Sequence, residues 1–452
     1  MLALLGYLMI IIFMVLLLTK KISPFVGLIL VPAIFGIIAA LFKGASILKA
    51  FEWIYEGLYY AVAGSGKITA GVAPTITLLL FAILYFSIML DVGLFDPLAV
   101  MMIKWAKGDP MKITIASAVI TLAVSLDGDG TTTVLIVTAA MLMLFKKMKM
   151  KQIYLAAIIG FGNSVMNLVP WSGPMARAMP VLNIGPKEFL LPVLPGMFVA
   201  ALLGLFQAYT YGKRERKRLG YVPGKGILTE SETTGIINDV TLTNVEYKRP
   251  KLIYFNLLLT LAIMVLLIMD LINGGILFLL GTAIALFVNY QDLSLQNSRL
   301  LANGAEALGP VSLVFGAGVI MGVLNGSGMS NAIAHQLVSM IPENLGSYIP
   351  LILALISLPG LFFLPNDAFY FGLLPVIAPI AYSYGATPVE VGVASLMGQA
   401  VRFASPLVAF LYVLVDRTEV SFIDYQKEYL KWGLMSFVLQ TLTAILTGAI
   451  PI

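Results

Sequence analysis

Long apolar segments recur from one end of the chain to the other, separated by short polar stretches. Segments long enough to cross a bilayer lie at about 1–19, 24–42, 68–90, 152–170, 188–211, 252–270, 273–289, 308–324, 388–415 and 433–450. About 20 apolar residues in a helix match the hydrocarbon core of a bilayer. The pattern predicts an all-α polytopic membrane protein with about 11 transmembrane helices.

Two further apolar stretches, at about 111–145 and 348–384, are interrupted halfway by "LDGDGTTT" and "LPNDAFY". Each arm has about 15 residues, enough to reach the membrane midplane and turn back. Lysines flank the first stretch on both sides, whereas 300–401 contains neither lysine nor arginine. Because cytoplasmic flanks collect basic residues, we predict two re-entrant helical hairpins that enter from opposite sides.

A polar stretch at 213–250, which begins "KRERKR", divides the chain into halves with corresponding segments. "MLDVGLFDPLAVMM" at 89–102 corresponds to "VLNGSGMSNAIAHQ" at 323–336, and "GNSVMNLVPWSGP" at 162–174 to "GQAVRFASPLVAF" at 398–410, at an offset of about 235 residues. We predict two inverted repeats, 1–212 and 251–452, each with one hairpin, joined by a cytoplasmic linker at 213–250. Both termini would be extracytoplasmic. Such repeats are typical of secondary transporters.

Composition narrows the class of protein further. The chain is 60% hydrophobic and 11% charged, whereas a soluble protein would carry about twice that charge. There is no cysteine and one histidine, which excludes a disulfide framework, a thiolate metal site and a multi-histidine centre. The net charge of +5 is concentrated in loops. Basic loops indicate how a protein is oriented in the cell (plasma) membrane, so we do not interpret this charge as a sign of nucleic-acid binding.

The first interruption places two acids, Asp127 and Asp129, in an apolar segment, where a carboxylate costs at least about 2.5 kcal/mol. Gly128 permits a sharp turn, and Thr131 and Thr132 offer hydroxyls at the start of the second arm. Carboxylate oxygens bind hard cations such as Mg²⁺ or Ca²⁺, or hold protons. The residues at this tip leave the choice between cation and proton open.

At the second interruption Pro365 ends the incoming arm, and Asp367 is a third candidate for a cation or a proton. The helix after each hairpin is predicted to break, at "VPWSGP" and at "ASP", which frees backbone carbonyls. The polar residues around the second tip and both breaks are candidates for substrate binding: Asn163, Ser164, Asn167, Ser172, Gly173, Asn366, Gln399, Arg402 and Ser405.

Arg402 and Arg177 are the basic residues predicted near the membrane centre. A guanidinium can bind a polycarboxylate in bidentate geometry. Pairing of Arg402 with Asp127, Asp129 or Asp367 is the alternative.

The segments "SLDGDGTTT", "MNLVPWSGPMARA", "NDAFYFGLLPV", "GQAVRFASPLV" and "LKWGLMSF" resemble the CitMHS family of citrate-metal:proton symporters, and the resemblance extends over nearly the whole chain. It implies uptake of citrate complexed with Mg²⁺ or Ca²⁺, driven by protons, with no permanently bound cofactor. The chain departs from the family pattern at Ala400 and Arg402, where a proline and a histidine are usual. A more remote similarity to divalent anion:sodium symporters implies a homodimer and an elevator-like movement.

The resulting hypothesis is an elevator-type symporter for citrate or a related di- or tricarboxylate, as a divalent metal complex and coupled to protons. A symporter of the uncomplexed carboxylate, coupled to Na⁺ or H⁺, is one alternative. An ion channel and an intramembrane enzyme are others. The unlike tips argue against a channel, and no catalytic signature accompanies the aspartates.

Overall fold

The computed structural model of the protein describes residues 1–62, 68–222, 245–269, 271–339 and 342–452. Residues 223–244, in the predicted linker 213–250, and residue 270, at the end of the predicted span 252–270, lie outside the described residues. The helices of the first half are α1 Leu2–Leu18, α2 Pro24–Phe42, α3 Leu48–Leu58, α4 Ala73–Asp91, α5 Asp96–Ala106, α6 Pro110–Val124, α7 Gly130–Lys147, α8 Gln152–Met166, α9 Gly173–Leu182 and α10 Pro186–Arg218.

The helices of the second half are α11 Ile253–Met269, α12 Gly274–Asn289, α13 Leu293–Ser327, α14 Met329–Val338, α15 Glu343–Gly346, α16 Ile349–Phe363, α17 Asn366–Ala368, α18 Leu374–Ser383, α19 Pro388–Leu396, α20 Gln399–Arg402, α21 Ala409–Arg417 and α22 Phe422–Leu446. Short 3₁₀ turns lie at Ser125–Asp127 and Pro250–Leu252, and a π-helical turn at Phe369–Leu373. Two short strands, β1 Tyr60–Val62 and β2 Ile68–Ala70, pair antiparallel.

Most of the predicted spans are helices, but the sequence patterns missed several elements. The short ribbon of β1 and β2 is an exception to the all-α prediction, and the predicted span 68–90 begins in this ribbon. The helices α3, α5, α14 and α15 were not predicted because each is short, with four to eleven residues. Within the described residues, eight helices are long and apolar enough to cross a membrane, and four apolar helices are shorter. The number of about 11 transmembrane helices stays a prediction.

Helices α6 and α7 fold back on each other, so that both outer ends meet the same end of α10. At the start of α6, Asp109 receives two hydrogen bonds from Arg216 of α10. Beyond the end of α7, the carbonyl of Lys149 accepts from Arg218, and the backbone N–H of Lys151 donates to Glu215 at 3.2 Å. The segment 110–147 thus starts and finishes in one place, as a helical hairpin does.

Asp109 is buried and caps α6 through the backbone N–H of Met111. Burial raises the pKa of its carboxyl, and the bonds from Arg216 and Met111 more than offset this, so the pKa lies below its ordinary value.

Helices α16 and α18 form a second hairpin of the same kind. The ring of Tyr384, just after α18, lies so close to Gly346, just before α16, that a Cβ there would stand 2.0 Å from a ring atom. The Tyr384 hydroxyl also donates to the carbonyl of Val338 at 3.2 Å. Between described residues, the contacts of this base are aromatic packing and a hydrogen bond to a backbone carbonyl, whereas the base of the first hairpin has charged side chains.

The helix after each hairpin breaks where its prolines predict a break. Between α8 and α9 the helix is interrupted around Pro170, and between α20 and α21 around Pro406. The two halves pack crosswise around these breaks. The first hairpin shares a buried core with residues 403–415 of the second half, and α9 of the first half packs in the core of the second hairpin.

The contact of Gly398 with α16 generates a prediction about stability. A Cβ at Gly398 would lie 2.1 Å from the backbone carbonyl oxygen of Ser357, which cannot move as a flexible side chain can. Gly398→Ala should therefore destabilise the protein by about 1–3 kcal/mol. The change is measured as a lower thermal unfolding midpoint of the purified protein in detergent.

Gly304→Ala is the matched control, since a Cβ at this position in α13 would meet nothing within 4 Å. Alanine is the better helix former, so this variant should unfold at the same or a slightly higher temperature. Equal loss of stability in both variants would contradict the assigned contact.

Candidate functional site

The first hairpin tip is built around two aspartates on a sharp turn. Gly128 has a φ of +80°, which glycine adopts without steric cost. Asp129 caps α7, and its carboxylate accepts a hydrogen bond from the backbone N–H of Thr132 at 2.6 Å. The carboxylate of Asp127 accepts from the backbone N–H of Asp129 at 2.9 Å and is only 6% exposed. Both carboxylates keep lone pairs for a cation.

Asn163, near the end of α8, holds this tip together from the side. Its side-chain amide donates to three acceptors: Ser125 Oγ at 3.3 Å, the Asp129 carbonyl at 3.2 Å and Thr133 Oγ1 at 3.0 Å. The predicted substrate residue Asn163 therefore shapes the tip. Thr131 is exposed and Thr132 half-buried, so the tip presents these two predicted hydroxyls more openly than the buried Thr133.

The segment after the first break contacts both hairpin tips. Its Trp171 donates from the indole N–H to the carbonyl of Leu126 in the first tip, at 2.8 Å. Ser172 lies against Gly128, where a Cβ would be 3.2 Å from the Ser172 Cα. A few residues further on, Arg177 pairs with Asp367 of the second tip, with 2.6 Å between Nε and Oδ1. The predicted cation ligand Asp367 thus has a guanidinium partner.

Arg402 makes a different contact from the ones predicted. Its Nη1 donates to the carbonyls of Leu361 and Leu364, at 2.7 and 2.8 Å, at the end of α16. Among the described residues Arg402 forms no ion pair with an aspartate, which was the predicted alternative for this residue. The guanidinium group that pairs with Asp367 is that of Arg177. The Arg402 side chain is 7% exposed and adds a positive charge close to Asp367.

Gln399 connects the second tip to the second broken helix. Its amide nitrogen donates to Tyr370 Oη at 3.1 Å and to Asn366 Oδ1 at 3.3 Å. Its buried Oε1 has no hydrogen-bond partner within the part of the chain that the structure describes. The structure thus brings together the predicted residues Gln399 and Asn366.

Three predicted serine hydroxyls donate to backbone carbonyls near the breaks. Ser164 donates to Phe161, Ser172 to Asn167 and Val169, and Ser405 to Phe362, all at 2.6–2.7 Å. A hydroxyl has a single proton, so in this conformation these serines cannot also donate to a carboxylate. Gly173 begins α9, and its carbonyl accepts from Arg177 at 2.8 Å. Asn167 ends α8 with a half-buried side chain.

Charge is distributed unevenly over the site. At the first tip Asp127 and Asp129 form no ion pair with any described residue. At the second tip Arg177 pairs with the single carboxylate of Asp367, and Arg402 adds a second positive charge in its neighbourhood. The described residues contain no group of three acidic, histidine or cysteine side chains close enough together to hold a metal, so in this conformation Asp367 lies apart from Asp127 and Asp129.

Sequence reasoning missed Glu306, a carboxylate in the middle of α13. It accepts a hydrogen bond from Ser87 at 3.1 Å and lines a cavity of about 300 Å³ together with Thr132 of the first tip. A cavity of this size can hold a small ligand. The signal was an acid within an apolar stretch, but the predicted span 308–324 began just after it, whereas α13 begins at Leu293.

The sequence profile of the family CitMHS, described as citrate transporter, matches residues 7–398. Two proteins of Bacillus subtilis (strain 168) align over the full length of both chains. One is named "Citrate transporter" and is 43% identical over 450 residues. The other is named "Mg(2+)/citrate complex secondary transporter" and is 40% identical over 452 residues.

Solved structures of two transporters share the fold at low sequence identity. The YdaH transporter of Alcanivorax borkumensis superposes with a TM-score of 0.53 at 12% identity, covering 92% of this chain and 98% of that one. MtrF of Neisseria gonorrhoeae, from a class of antimetabolite efflux pumps, gives a TM-score of 0.56 at 13% identity, covering 91% of this chain and 94% of that one. At these identities the likeness concerns the fold alone.

The hydrogen bonds of Asn163 generate a prediction about the first tip. Asn163→Ala removes three donor contacts from the interior of the tip, at a cost of about 1–3 kcal/mol. The thermal unfolding midpoint should fall accordingly. Asn167→Ala is the control, because this half-buried amide one turn away makes no side-chain hydrogen bond to a described residue. A larger loss in the control would contradict the role given to Asn163.

Proposed function

This chain belongs to the CitMHS family of citrate transporters, and from that premise we propose that it is a symporter for citrate complexed with a divalent cation. One observation carries the proposal: the first tip carries two aspartates that form no ion pair with a described residue, and the second tip carries two guanidinium groups. A metal–citrate complex has the same division of charge, a cation on one side and carboxylates on the other. Mg²⁺ or Ca²⁺ enters here as part of the substrate, not as a resident cofactor.

Asp127 and Asp129 hold the cation in this proposal. Magnesium keeps several of its ligands as water or substrate oxygens, so one or two protein carboxylates are enough for it. The two aspartates offer such oxygens next to the exposed Thr131 and to Thr132, which borders the 300 Å³ cavity. The absence of a third acidic ligand among the described residues fits a site whose remaining ligands come from citrate.

Arg402 and Arg177 hold the carboxylates of citrate in this proposal. Guanidinium groups bind carboxylates through paired N–H donors, and their charge is permanent. The amides of Asn366, Gln399 and Asn167 are polar neighbours for the hydroxyl and carboxylate oxygens of citrate. The backbone-bonded serines, Ser164, Ser172 and Ser405, support the breaks and can accept hydrogen bonds from a ligand.

Several finer features belong to the same proposal. We infer that the two halves are inverted repeats, that the two hairpins are re-entrant, and that the bases with Arg216 and with Tyr384 face the cytoplasm and the exterior. The concentration of basic residues at 213–218 supports this orientation, with the linker 213–250 inside and both termini outside. Coupling to protons is a further expectation that follows from the resemblance to the CitMHS family. An elevator-like movement and a homodimer are expected from the more remote similarity to divalent anion:sodium symporters.

Reconstituted protein tests the function directly. Proteoliposomes should accumulate labelled citrate in the presence of Mg²⁺ or Ca²⁺, and an excess of a chelator should abolish uptake. A proton gradient should drive accumulation where a sodium gradient does not. Uptake that persists with the chelator would favour the uncomplexed carboxylate, and flux without saturation or counterflow would favour a channel.

Asp129→Asn separates the charge of the first tip from its role as a helix cap. Asparagine caps a helix about as well as aspartate, so the fold should survive while one cation ligand loses its charge. We expect the Mg²⁺ concentration for half-maximal citrate uptake to rise about tenfold or more. Asp292→Asn is the control, because Asp292 caps α13 in the same way from an exposed position. Unchanged Mg²⁺ dependence in Asp129→Asn would remove Asp129 from the cation site.

A further inference from the structure

The ion pair of Arg177 and Asp367 joins the two halves of the protein at the centre of the site. Arg177 belongs to α9 in the first half, and Asp367 belongs to the second hairpin tip, 190 residues later in the chain. Both side chains are largely buried, with 15% and 14% exposed. No other ion pair between described residues connects the second tip to the first half.

This pair uses only part of the bonding capacity of its partners. Arg177 gives one hydrogen bond to Asp367 and one to its own helix at Gly173, and no bond between described residues uses Nη2 of Arg177 or Oδ2 of Asp367. The pair of Arg216 and Asp109 at the first hairpin base differs, because two guanidinium nitrogens bind two carboxylate oxygens. The central pair is therefore held by a single hydrogen bond, whereas an arginine and a carboxylate can form two parallel ones.

A carboxylate of the substrate carries the same acceptor atoms and the same charge as Asp367. It can meet Arg177 with two oxygens, and it also gains from the nearby positive charge of Arg402. The two carboxylates cannot both hold the same edge of one guanidinium group. We propose that Asp367 is an internal competitor that occupies Arg177 while the site is empty and is displaced by a carboxylate of the substrate.

Displacement has a mechanical consequence, because the pair links the second tip to α9. When citrate takes Arg177, the tip loses this ionic contact with the first half. Occupancy of the site is thereby coupled to the position of one hairpin. The inference rests on the proposed function, since it takes the substrate to be a polycarboxylate.

Citrate binding to the purified protein, measured by calorimetry with Mg²⁺ present, tests the competition. Asp367→Asn keeps the size of the side chain and removes its charge, so citrate should bind about fivefold or more tightly than to the wild type. If Asp367 were instead a ligand of the transported cation, or only held Arg177 in place, the same variant would bind citrate more weakly, which would overturn the proposal.

Removal of a negative charge favours an anion in any case, and a double-mutant cycle separates this general effect from competition at Arg177. In an Arg177→Ala background Asp367 no longer has a guanidinium group to pair with, so Asp367→Asn should no longer tighten citrate binding. Equal tightening with and without Arg177 would overturn the proposal. Asp109→Asn is the matched control, because it alters an arginine–aspartate pair at the hairpin base and should leave the affinity for citrate unchanged.

Wild-type protein distinguishes failure of this inference from failure of the proposed function. If the wild type binds no citrate with or without Mg²⁺, the proposed function is wrong and the competitor falls with it. If the wild type binds citrate and the Asp367→Asn variant does not bind it more tightly, the function stands and the competitor alone is wrong. A transport assay adds a second readout: Asp367→Asn should lower KM and also lower kcat, because the second tip no longer responds to occupancy.

Discussion

Hydrocarbon offers no hydrogen bonds, so every backbone group freed by a break in a membrane helix must find its partner within the protein. This constraint determines the centre of the molecule, where two hairpins turn and two helices are interrupted. The carbonyls of Leu361 and Leu364 are satisfied by Arg402, that of Phe362 by Ser405 and that of Leu126 by Trp171. In each case a residue of a broken helix supports the hairpin tip of its own half. At this centre, Arg177 with Asp367 and the ring of Phe410 against Gly130 of the first tip are contacts between the two halves.

The same constraint explains how much could be predicted from the sequence. Glycine, proline and acids within apolar stretches identify interruptions without any knowledge of packing, and the prolines at 170 and 406 indeed mark the breaks. A polar side chain near a break, however, serves either the ligand or the freed backbone, and the sequence does not distinguish these roles. Ser164, Ser172 and Ser405 were predicted to bind substrate, but in the structure their hydroxyl groups donate hydrogen bonds to backbone carbonyls. Partners distant in the chain were equally hidden, as Arg177 and Asp367 illustrate.

The charged groups of the site differ in whether they bind the backbone of the breaks or each other. Hydroxyls, an indole and guanidinium groups donate to the backbone carbonyls near the breaks, and the carboxylates of the first tip have no cationic partner among the described residues. Glu306 adds a further acid beside the cavity that borders Thr132. Helix α13 thus joins the two hairpin tips, α9 and α20 in bringing an ionisable side chain to the interior. Of the short helices that the hydropathy pattern missed, α3 and α14 pack against this long helix.

The bases of the two hairpins depend on different forces. The first is a set of ionic contacts around Arg216 and Arg218 at the end of α10, and the second is an aromatic ring against a glycine. Dissolved salt weakens attractions between partly exposed charges and leaves van der Waals packing nearly unchanged. A methyl group added at position 346 would disturb the packing of the second base and leave the ionic contacts of the first base unchanged. The two hairpin bases can therefore be weakened separately, one through the ionic strength of the medium and one through the bulk of a single side chain.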